Sequence, residues 1–396
     1  MTPENSWDIM VIGGGPAGST AAYLLASKGH SVLIIDKKNF PRSKLCAGLL
    51  THKTVCLVQT MLGKPVSEHL FQGTISSHTR NYRIFHRTCE IARGKLAIPF
   101  YFIERAAYDH FWLQRAALAG AHVVTGQTVC HVNPQSGRAT LADGTRIHAR
   151  LIIGADGVHS ITRRSALNDA QMQKRWNRQL AMTIESRWPC PHPTAAHDYA
   201  SLHFGYVPWG YAWSFPNRGH RILGIAGLRH KHNQPLMAGF KRFLASICIR
   251  QNELADCRGY PLPMGNYLTN PGGPRLLLVG DACGLADPLL GEGIYYAHRS
   301  AQIAAQCIVA CGRSGESPYP MYRQVLNKEV ISELRWIKFY RNFLFMGGRR
   351  RKYRGLRQLF SIMPRRLEAA VQGQIPFSRL LWAGGAGYSG NPSRTR

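Results

Sequence analysis

The stretch from Asp8 to Lys28 constrains the fold more than any other part of the chain. A short apolar run that ends at Ile12 is followed by Gly-Gly-Gly-Pro-Ala-Gly and then by an alanine- and leucine-rich segment. This order predicts a strand, a tight turn and a helix. In such a unit Gly13 permits the turn, Gly15 lets the backbone approach a pyrophosphate, and Gly18 lets the helix pack closely on the strand.

A second apolar run follows the predicted helix and ends at Asp36, eighteen residues after Gly18. An acidic residue at this distance is placed to bind the ribose hydroxyls of a dinucleotide. A glycine pattern alone is weak evidence for a dinucleotide site, but here two flanking strands and the acid accompany the pattern. We therefore predict a dinucleotide site that comprises Gly13, Gly15, Pro16, Ala17, Gly18, Asp36 and the adjoining Lys37.

The loop after Asp36 contains one thiol that follows two basic residues. Its sequence from Phe40 to Leu50 is Phe-Pro-Arg-Ser-Lys-Leu-Cys-Ala-Gly-Leu-Leu, which places Cys46 shortly after Arg42 and Lys44. Because this loop begins close to the predicted ribose-binding acid, Lys44 is a candidate for the cofactor site, and Cys46 is a candidate for chemistry beside it. The alternative for Cys46 is a packing role, since most free cysteines behave as small buried hydrophobes.

Length and charge bound the organisation of the chain. A chain of 396 residues exceeds what one hydrophobic core usually holds, which predicts two domains and a helical appendix. Lysine and arginine total 50 against 21 acidic residues, for a formal charge of +29. Such a field attracts phosphates, nucleic acid or anionic lipid headgroups.

The ten cysteines are scattered without a Cys-x-x-Cys pair. This usage favours reduced thiols in the cytoplasm and predicts no metal site. No stretch reaches the roughly eighteen uninterrupted apolar residues of a spanning helix. Any contact with a membrane is therefore expected to be peripheral.

Two later apolar runs also end in acidic residues. Leu151–Gly157 contains Asp156 and Gly157, and Arg275–Ala282 contains Gly280 and Asp281. Between these runs and the glycine turn, the segment from Arg105 to Ala119 has helical character. A local ion pair of small value with Asp109, one turn along this helix, is one interpretation of Arg105.

Two segments have the alternating pattern of antiparallel sheet. Residues 70–104 alternate polar and apolar positions, and residues 180–270 carry Pro, Trp and Tyr at strand-like spacing. On a strand, Tyr211, Trp213 and Phe215 share one face. That face is either the core side of a sheet, which is the usual meaning of aromatic alternation, or the wall of an apolar pocket.

Four segments together resemble the geranylgeranyl reductase family of FAD-dependent oxidoreductases, which are flavoproteins of the glutathione-reductase-2 and hydroxybenzoate-hydroxylase type. The resemblance runs from about residue 8 to about residue 310 with its order intact, and it departs from the family at Ala47 and after Gly224. The segments are Phe-Pro-Arg-x-Lys-x-Cys-x-Gly at 40–48, Tyr-x-Trp-x-Phe-Pro at 211–216, Gly-Asp-Ala-x-Gly at 280–284 and Asp-Pro-Leu-x-Gly-Glu-Gly-Ile-Tyr-Tyr-Ala at 287–297.

The resemblance implies FAD as the cofactor, with Asp281 on its ribityl chain and Arg105 reaching it from a helix. It also implies that a helix opened by residues 288–294 faces the flavin, where its N-terminus stabilises the negative charge of the reduced state. The further FAD contacts implied are Asp156, Gly157, Gly280, Gly291, Gly293 and Ile294. The implied contacts of a hydrophobic isoprenoid substrate are Tyr211, Trp213, Phe215, Pro216 and Gly224.

The reaction that the resemblance implies is saturation of carbon–carbon double bonds in a geranylgeranyl or other isoprenoid chain, on a lipid or a prenyl diphosphate. Reduced flavin delivers a hydride, and an isolated double bond also needs a proton at its other carbon. A thiol is mostly protonated at neutral pH, so Cys46 is a candidate donor or its positioning partner, although Arg42 and Lys44 favour a thiolate. Without a second nucleotide fingerprint, NADPH, NADH or ferredoxin would bind transiently as electron donor.

Two other functions stay open. One is a flavin-dependent monooxygenase or halogenase. A halogenase, however, is expected to have the motif Trp-x-Trp-x-Ile-Pro, and this chain has Tyr211 and Phe215 at two of its positions. The other is a basic flavin-bearing protein that binds nucleic acid or a membrane without turnover. The formal charge of +29 suggests this possibility. Nucleic acid is disfavoured because no recognised binding module is present.

The last part of the chain predicts a basic helical region. Apolar residues recur at helical spacing from Lys328 to Met346 and are followed by Gly347, Gly348 and the basic run at 349–354. An apolar helical face beside a basic cluster suits an anionic membrane surface. The alternative is a solvated basic tail that packs partly on the flavin domain.

These observations predict an α/β protein with a Rossmann-like FAD-binding domain, an inserted antiparallel β-sheet substrate domain and a helical C-terminus. The FAD-binding domain is discontinuous, over residues 1–72, 105–175 and 271–325. The substrate domain takes residues 73–104 and 176–270, and the basic region takes residues 326–396.

Overall fold

The computed structural model describes residues 6–63, 73–167, 169–190, 198–231, 234–312, 316–346 and 363–381. Two sheets organise these residues, and helices pack on both. The predicted α/β class is therefore confirmed.

The first sheet has a core of parallel strands that includes the two strands predicted on either side of the glycine turn and its helix. Its strands are β1 (Ser6–Ile12), β2 (Val32–Asp36), β6 (His122–Thr125), β7 (Val129–Asn133), β8 (Arg138–Leu141), β9 (Arg146–Gly154), β15 (Gly272–Gly273) and β16 (Leu276–Leu278). Strand β1 lies between β2 and β9, and β6 and β16 extend the sheet on either side, all in parallel pairs. The carboxyl ends of these strands consequently meet at one edge, where ligands of such sheets bind.

Helices alternate with strands in the segments that form the first sheet, as predicted, and further helices lie elsewhere in the described residues. They are α1 (Pro16–Ala26), α2 (His52–Leu62), α3 (Arg105–Leu118), α4 (Ile161–Leu167), α5 (Ala170–Gln179), α6 (Leu236–Ser246), α7 (Ile294–Cys311), α8 (Tyr319–Leu326), α9 (Ser332–Met346) and α10 (Pro364–Val371). Helices α1, α3 and α7 pack together, and small residues along α1 allow this close approach.

The second sheet is antiparallel except where β11 pairs with β4. Its strands are β3 (Leu49–Leu50), β4 (Ile75–His86), β5 (Cys89–Ile103), β10 (Ala181–Pro189), β11 (Ala200–Phe204), β12 (Gly210–Asn217), β13 (His220–Leu228) and β14 (Arg258–Leu262). They lie in the order β14-β10-β13-β12-β11-β4-β5-β3. The antiparallel strands predicted in 70–104 and 180–270 are confirmed for the described residues, but the second segment also contains α6, whose phenylalanines cover one face of the sheet.

Strand β3 connects the two halves of the fold. Strands of the second sheet otherwise come from residues 73–104 and 176–270, whereas β3 is the end of the loop that begins at Phe40. It pairs with β5 through Leu49 and Leu50. The loop from Phe40 to Leu50 therefore runs from the edge of the first sheet to the edge of the second.

The predicted helix over 328–346 is present, and its apolar residues divide between two environments. A π-helical turn over Asn327–Ile331 leads into α9. Five of the apolar residues, Val330, Ile331, Leu334, Ile337 and Tyr340, are buried in the core of the first sheet and hold the helix there. Phe339 and Phe343 are exposed, so a membrane contact of this helix stays a prediction, and the basic run at 349–354 lies outside the described residues.

No helix in the described ranges combines the length and the apolar character that a membrane span needs.

A buried histidine joins the three helices behind the first sheet. His298 of α7 hydrogen-bonds through Nδ1 to the Thr20 hydroxyl at 2.7 Å and through Nε2 to the Tyr108 hydroxyl at 2.8 Å. Burial lowers the pKa of His298 to about 3, so the imidazole is neutral. One ring nitrogen thus donates and the other accepts.

We expect His298→Phe to lower the free energy of unfolding by about 2 kcal/mol, because Thr20 loses its partner in a dry interior. Urea unfolding of the purified protein, followed by circular dichroism, measures this. Thr20→Val removes the other group, so the double variant should cost less than the sum of the two single ones. If the losses of unfolding free energy in the two single variants add up to the loss in the double variant, His298 and Thr20 are not coupled and the prediction is wrong.

Candidate functional site

A cavity of about 1740 Å³ is lined by residues of both sheets. One part lies along the glycine turn and the ends of β1, β2 and β9. Another lies along the apolar face of the second sheet, and the loop from Phe40 to Leu50 lies where the two parts meet.

The glycine turn has the shape that a pyrophosphate requires. Gly13 has φ +105°, and a Cβ there would lie 2.4 Å from the Ala155 carbonyl oxygen; a Cβ at Gly18 would lie 1.8 Å from the carbonyl oxygen of Gly13. A Cβ at Gly15 would meet only the Arg42 guanidinium, at 3.5 Å. The backbone at Gly15 is therefore open to the cavity, and α1 begins beside it without a side-chain cap.

Pro16 and Ala17 line the cavity with Gly13 and Gly15, whereas Gly18 does not. Gly18 instead lets α1 pack on β1, as its position in the sequence predicts. In the dinucleotide-binding turn, Gly13, Gly15, Pro16 and Ala17 thus face the cavity, whereas Gly18 makes the packing of α1 on β1 possible.

The two acids at the strand ends differ in their contacts. Asp36 and Lys37 line the cavity, and the Asp36 carboxylate accepts hydrogen bonds from the Gly14 and Lys38 amides at 2.7 and 2.8 Å. Asp156 also lines the cavity beside Gly157, but its carboxylate accepts from the amides of Ile161 and Thr162 and from the Thr162 hydroxyl. Asp156 therefore holds the start of α4, while a ribose contact at Asp36 stays a prediction.

The loop before α7 is fixed by buried charge. Lys53 and Glu292 form an ion pair at 2.7 Å, and the Thr51 and Thr54 hydroxyls donate to the other Glu292 oxygen at 2.6 and 3.0 Å. Burial opposes the charge of Lys53, but Glu292 outweighs it and raises the pKa of the ammonium group above its usual value. Nothing in the sequence around Lys53 had indicated this pair.

This anchoring places four of the predicted flavin contacts, Asp281, Gly291, Gly293 and Ile294, along the cavity. Burial raises the pKa of Asp281, and the cations of Lys44 and Arg105 oppose that shift. Gly280 does not line the cavity; its backbone turns at φ +56° and its amide donates to the Ser300 hydroxyl.

A buried carboxylate on α3 holds the cysteine loop. Asp109 is fully buried and binds Arg105 through two hydrogen bonds of 2.8 and 2.9 Å. The same carboxylate lies 3.3 Å from Arg42 of the loop. The local ion pair weighed for Arg105 is therefore present, and it also fixes the loop, while Arg105 lines the cavity.

Lys44 lies deeper in the same loop. Its ammonium nitrogen lies 3.2 Å from the ring centroid of Tyr260, a cation–π contact. Burial lowers the pKa of Lys44 to about 8, and the nearby Asp281 opposes the shift. Lys44 lines the cavity and brings positive charge to the expected flavin site.

Cys46 lines the cavity where its two parts meet. Its sulfur accepts a hydrogen bond from the Gly48 amide at 3.4 Å. Its own amide donates to Oε1 of Glu185 at 3.3 Å. The sequence reasoning missed Glu185, although a lone carboxyl group among apolar and hydroxyl side chains of β10 was a usable signal.

The three aromatic residues of β12 line the apolar part of the cavity, as predicted. Tyr211, Trp213 and Phe215 project from one face of the strand, and the Tyr211 hydroxyl donates to the Leu290 carbonyl. Pro216 falls on the opposite face and does not line the cavity. Gly224 also lies outside it: a Cβ there would be 2.1 Å from the Trp213 ring, so this glycine makes room for the indole.

Further apolar residues extend this wall across the second sheet. They are Ile84, Leu96, Phe100, Leu202, Phe204 and Ala226, with Phe339, Leu344 and Leu367 from the helices that cover the sheet. The result is a long apolar chamber that joins the polar part of the cavity at Cys46.

The comparisons with known proteins agree with this geometry. Residues 6–204 match the family model of the FAD binding domain. The chain belongs to this FAD-binding family. It is an FAD-dependent oxidoreductase, and the open backbone at Gly15, the uncapped start of α1 and the positive charge of Lys44 fit that cofactor.

Named relatives are reductases. The chain is 29% identical to a menaquinone reductase of Mycobacterium tuberculosis over 78% of each chain. It is 27% identical to a geranylgeranyl diphosphate reductase of Rhodobacter capsulatus over 78% of this chain and 77% of that protein.

Solved structures share the fold. A geranylgeranyl bacteriochlorophyll reductase-like protein from Thermoplasma acidophilum has a TM-score of 0.76 at 22% identity, over 91% of this chain and 92% of that one. A flavin-dependent brominase has a TM-score of 0.69 at 16% identity, over 94% of each chain. At these identities the likeness establishes the fold alone.

We expect Gly15→Val to fold and to lose FAD, because its side chain would occupy space at the turn that the protein itself leaves open. Flavin absorbance of the purified protein and its circular dichroism measure the two effects. Gly273→Val is the matched control, since a Cβ there meets nothing within 4 Å. Full flavin content in Gly15→Val would contradict the placement of the pyrophosphate.

Proposed function

We propose that this protein saturates carbon–carbon double bonds in the isoprenoid chain of a lipid or a prenyl diphosphate. The observation that carries the proposal is the junction at Cys46 between the FAD part of the cavity and the long apolar chamber. An isoprenoid chain is flexible, methyl-branched and apolar, so it matches a chamber walled by aliphatic and aromatic side chains. Menaquinone and geranylgeranyl diphosphate, which the names of two relatives contain, both carry such a chain.

The extent of the apolar lining favours this reaction over hydroxylation or halogenation of a compact aromatic compound. The apolar lining extends from Phe215 near the junction to Phe339 and Leu367 on the covering helices. A small aromatic substrate would leave most of this surface without contact, whereas a prenyl chain would cover it.

FAD, when bound and reduced, supplies a hydride to one carbon of the double bond. The protein's own groups then have three tasks. Lys44 and Arg105 counter negative charge beside the cofactor, the aromatic wall holds the chain and excludes water, and the Cys46 loop positions the double bond. NADPH, NADH or ferredoxin would bring electrons from outside this cavity, in a transient complex.

We expect photoreduced protein to be reoxidised anaerobically by geranylgeranyl diphosphate or a menaquinone, with mass spectrometry recording a gain of two hydrogens per bond. Cys46→Ser should slow this reoxidation by roughly tenfold or more, since small misplacements at a reacting centre are costly. Cys56→Ser is the matched control, because that half-buried thiol on α2 does not line the cavity. A prenyl acceptor that never reoxidises the wild-type flavin would refute the proposed function.

The chamber also offers a route to a lipid phase. Phe339, Phe343 and Leu381 line the cavity and are nevertheless 55%, 74% and 56% exposed. Exposed apolar side chains around an opening, on a protein of charge +29, suit contact with an anionic membrane surface. We propose that a lipid-borne prenyl chain enters here.

We expect the double variant Phe339→Ser/Phe343→Ser to reduce recovery with anionic vesicles in a flotation assay by about tenfold, because two apolar contacts are lost. Leu118→Ser is the control, since Leu118 is 81% exposed at the far end of α3 and lies outside the cavity. If recovery of the wild type is the same on neutral and anionic vesicles, the membrane proposal is wrong.

A further inference from the structure

Glu185 is a carboxyl group in the wall of the reaction cavity. It lies in β10 with Thr183 on the face that lines the cavity, and it is only 9% exposed. In the neighbouring strand β13 its backbone partner is Gly224, which has no side chain. The carboxyl group therefore stands beside Cys46 at the junction of the two cavity parts.

Its hydrogen bonds leave one oxygen available. Oε1 accepts from the Cys46 amide at 3.3 Å, and Oε2 has no hydrogen-bond partner among the described residues. The charged groups that face Glu185 are Arg187 of the same strand, Arg105 of α3, and Glu104, which pairs with Arg187 at 2.7 Å. Burial outweighs the two cations and raises the pKa of Glu185 to about 7.

The sulfur of Cys46, by contrast, acts as a hydrogen-bond acceptor. It accepts a hydrogen bond from the Gly48 amide at 3.4 Å. This contact within the loop suits a sulfur that holds the loop in shape. Lys44 lines the same cavity but lies against the Tyr260 ring, whereas the carboxyl of Glu185 stands at Cys46, where the two cavity parts meet. The geometry therefore favours Glu185 as the group that delivers a proton there.

We propose that Glu185 is the catalytic acid of the site and that Cys46 is a positioning residue. This inference rests on the proposed function. As the hydride forms a C–H bond at one alkene carbon, the π electrons form the second C–H bond with the proton of the Glu185 carboxyl group. Glu185 is left as a carboxylate and takes a proton from water before the next turnover.

The decisive variant is Glu185→Gln, which keeps an oxygen for the Cys46 amide and removes the acid. It should retain FAD and slow reoxidation of the photoreduced flavin by the prenyl substrate about a hundredfold or more. Glu185→Asp restores a carboxyl group and should recover part of the rate. Glu104→Gln is the matched control, because Glu104 lies beside Glu185 but outside the cavity.

The pH profile separates an acid from a structural group. Because the protonated carboxyl is the active form, wild-type reoxidation should be constant below about pH 7 and fall tenfold per pH unit above it. This limb should be absent in Glu185→Gln and present in Glu185→Asp. In Glu104→Gln it should persist at slightly lower pH, since a like charge has been removed.

Two results would overturn the assignment. One is a wild-type rate in Glu185→Gln, and the other is a slow rate that keeps the wild-type pH limb, which would make Cys46 or another group the acid. Infrared titration without substrate tests the same carboxyl: the difference between wild type and Glu185→Gln should show a protonated carboxyl that disappears near pH 7. That signal would support the acid even if no prenyl substrate were accepted, and its absence would refute it.

Discussion

The buried carboxylate of Asp109 is the interaction on which the site depends. One side chain on α3 binds Arg105, which faces the cavity, and also reaches Arg42 in the loop from Phe40 to Leu50. A buried charge is stable only when it is paired, so this carboxylate fixes the two cations as firmly as they fix it. The loop is thereby tied to the flavin domain at one end, while β3 ties it to the substrate sheet at the other.

The position of the loop explains why both cavity parts meet at Cys46. The glycine turn and α1 belong to the first sheet, and the aromatic wall of β12 belongs to the second. A ligand held by one sheet meets a ligand held by the other only at the segment that connects them. The same junction removes charged side chains from water, which raises the pKa of Glu185 and lowers that of Lys44, so that proton transfer near neutral pH becomes available.

Local patterns predicted much of this arrangement. The glycine turn, Asp36 and the helix from Arg105 follow rules that act over a few residues, and the structure has them where the sequence places them. The alternation of Tyr211, Trp213 and Phe215 predicted a shared face correctly. It could not exclude Pro216 and Gly224 from the cavity, because the direction of a side chain depends on which face of the sheet is covered.

The sequence by itself determined the dinucleotide-binding turn and its flanking strands, since glycine spacing and strand-ending acids act through the local backbone, and the resemblance of four motifs to a known family indicated FAD. Tertiary structure alone decided three matters. It placed Glu185 beside Cys46, 139 residues away in the chain, it paired Lys53 with Glu292, and it decided which apolar residues between Val330 and Tyr340 are buried against the first sheet and which stay exposed. Each depends on contacts between distant segments, and burial, which sets both pKa values and exposed surfaces, exists only once those segments have packed.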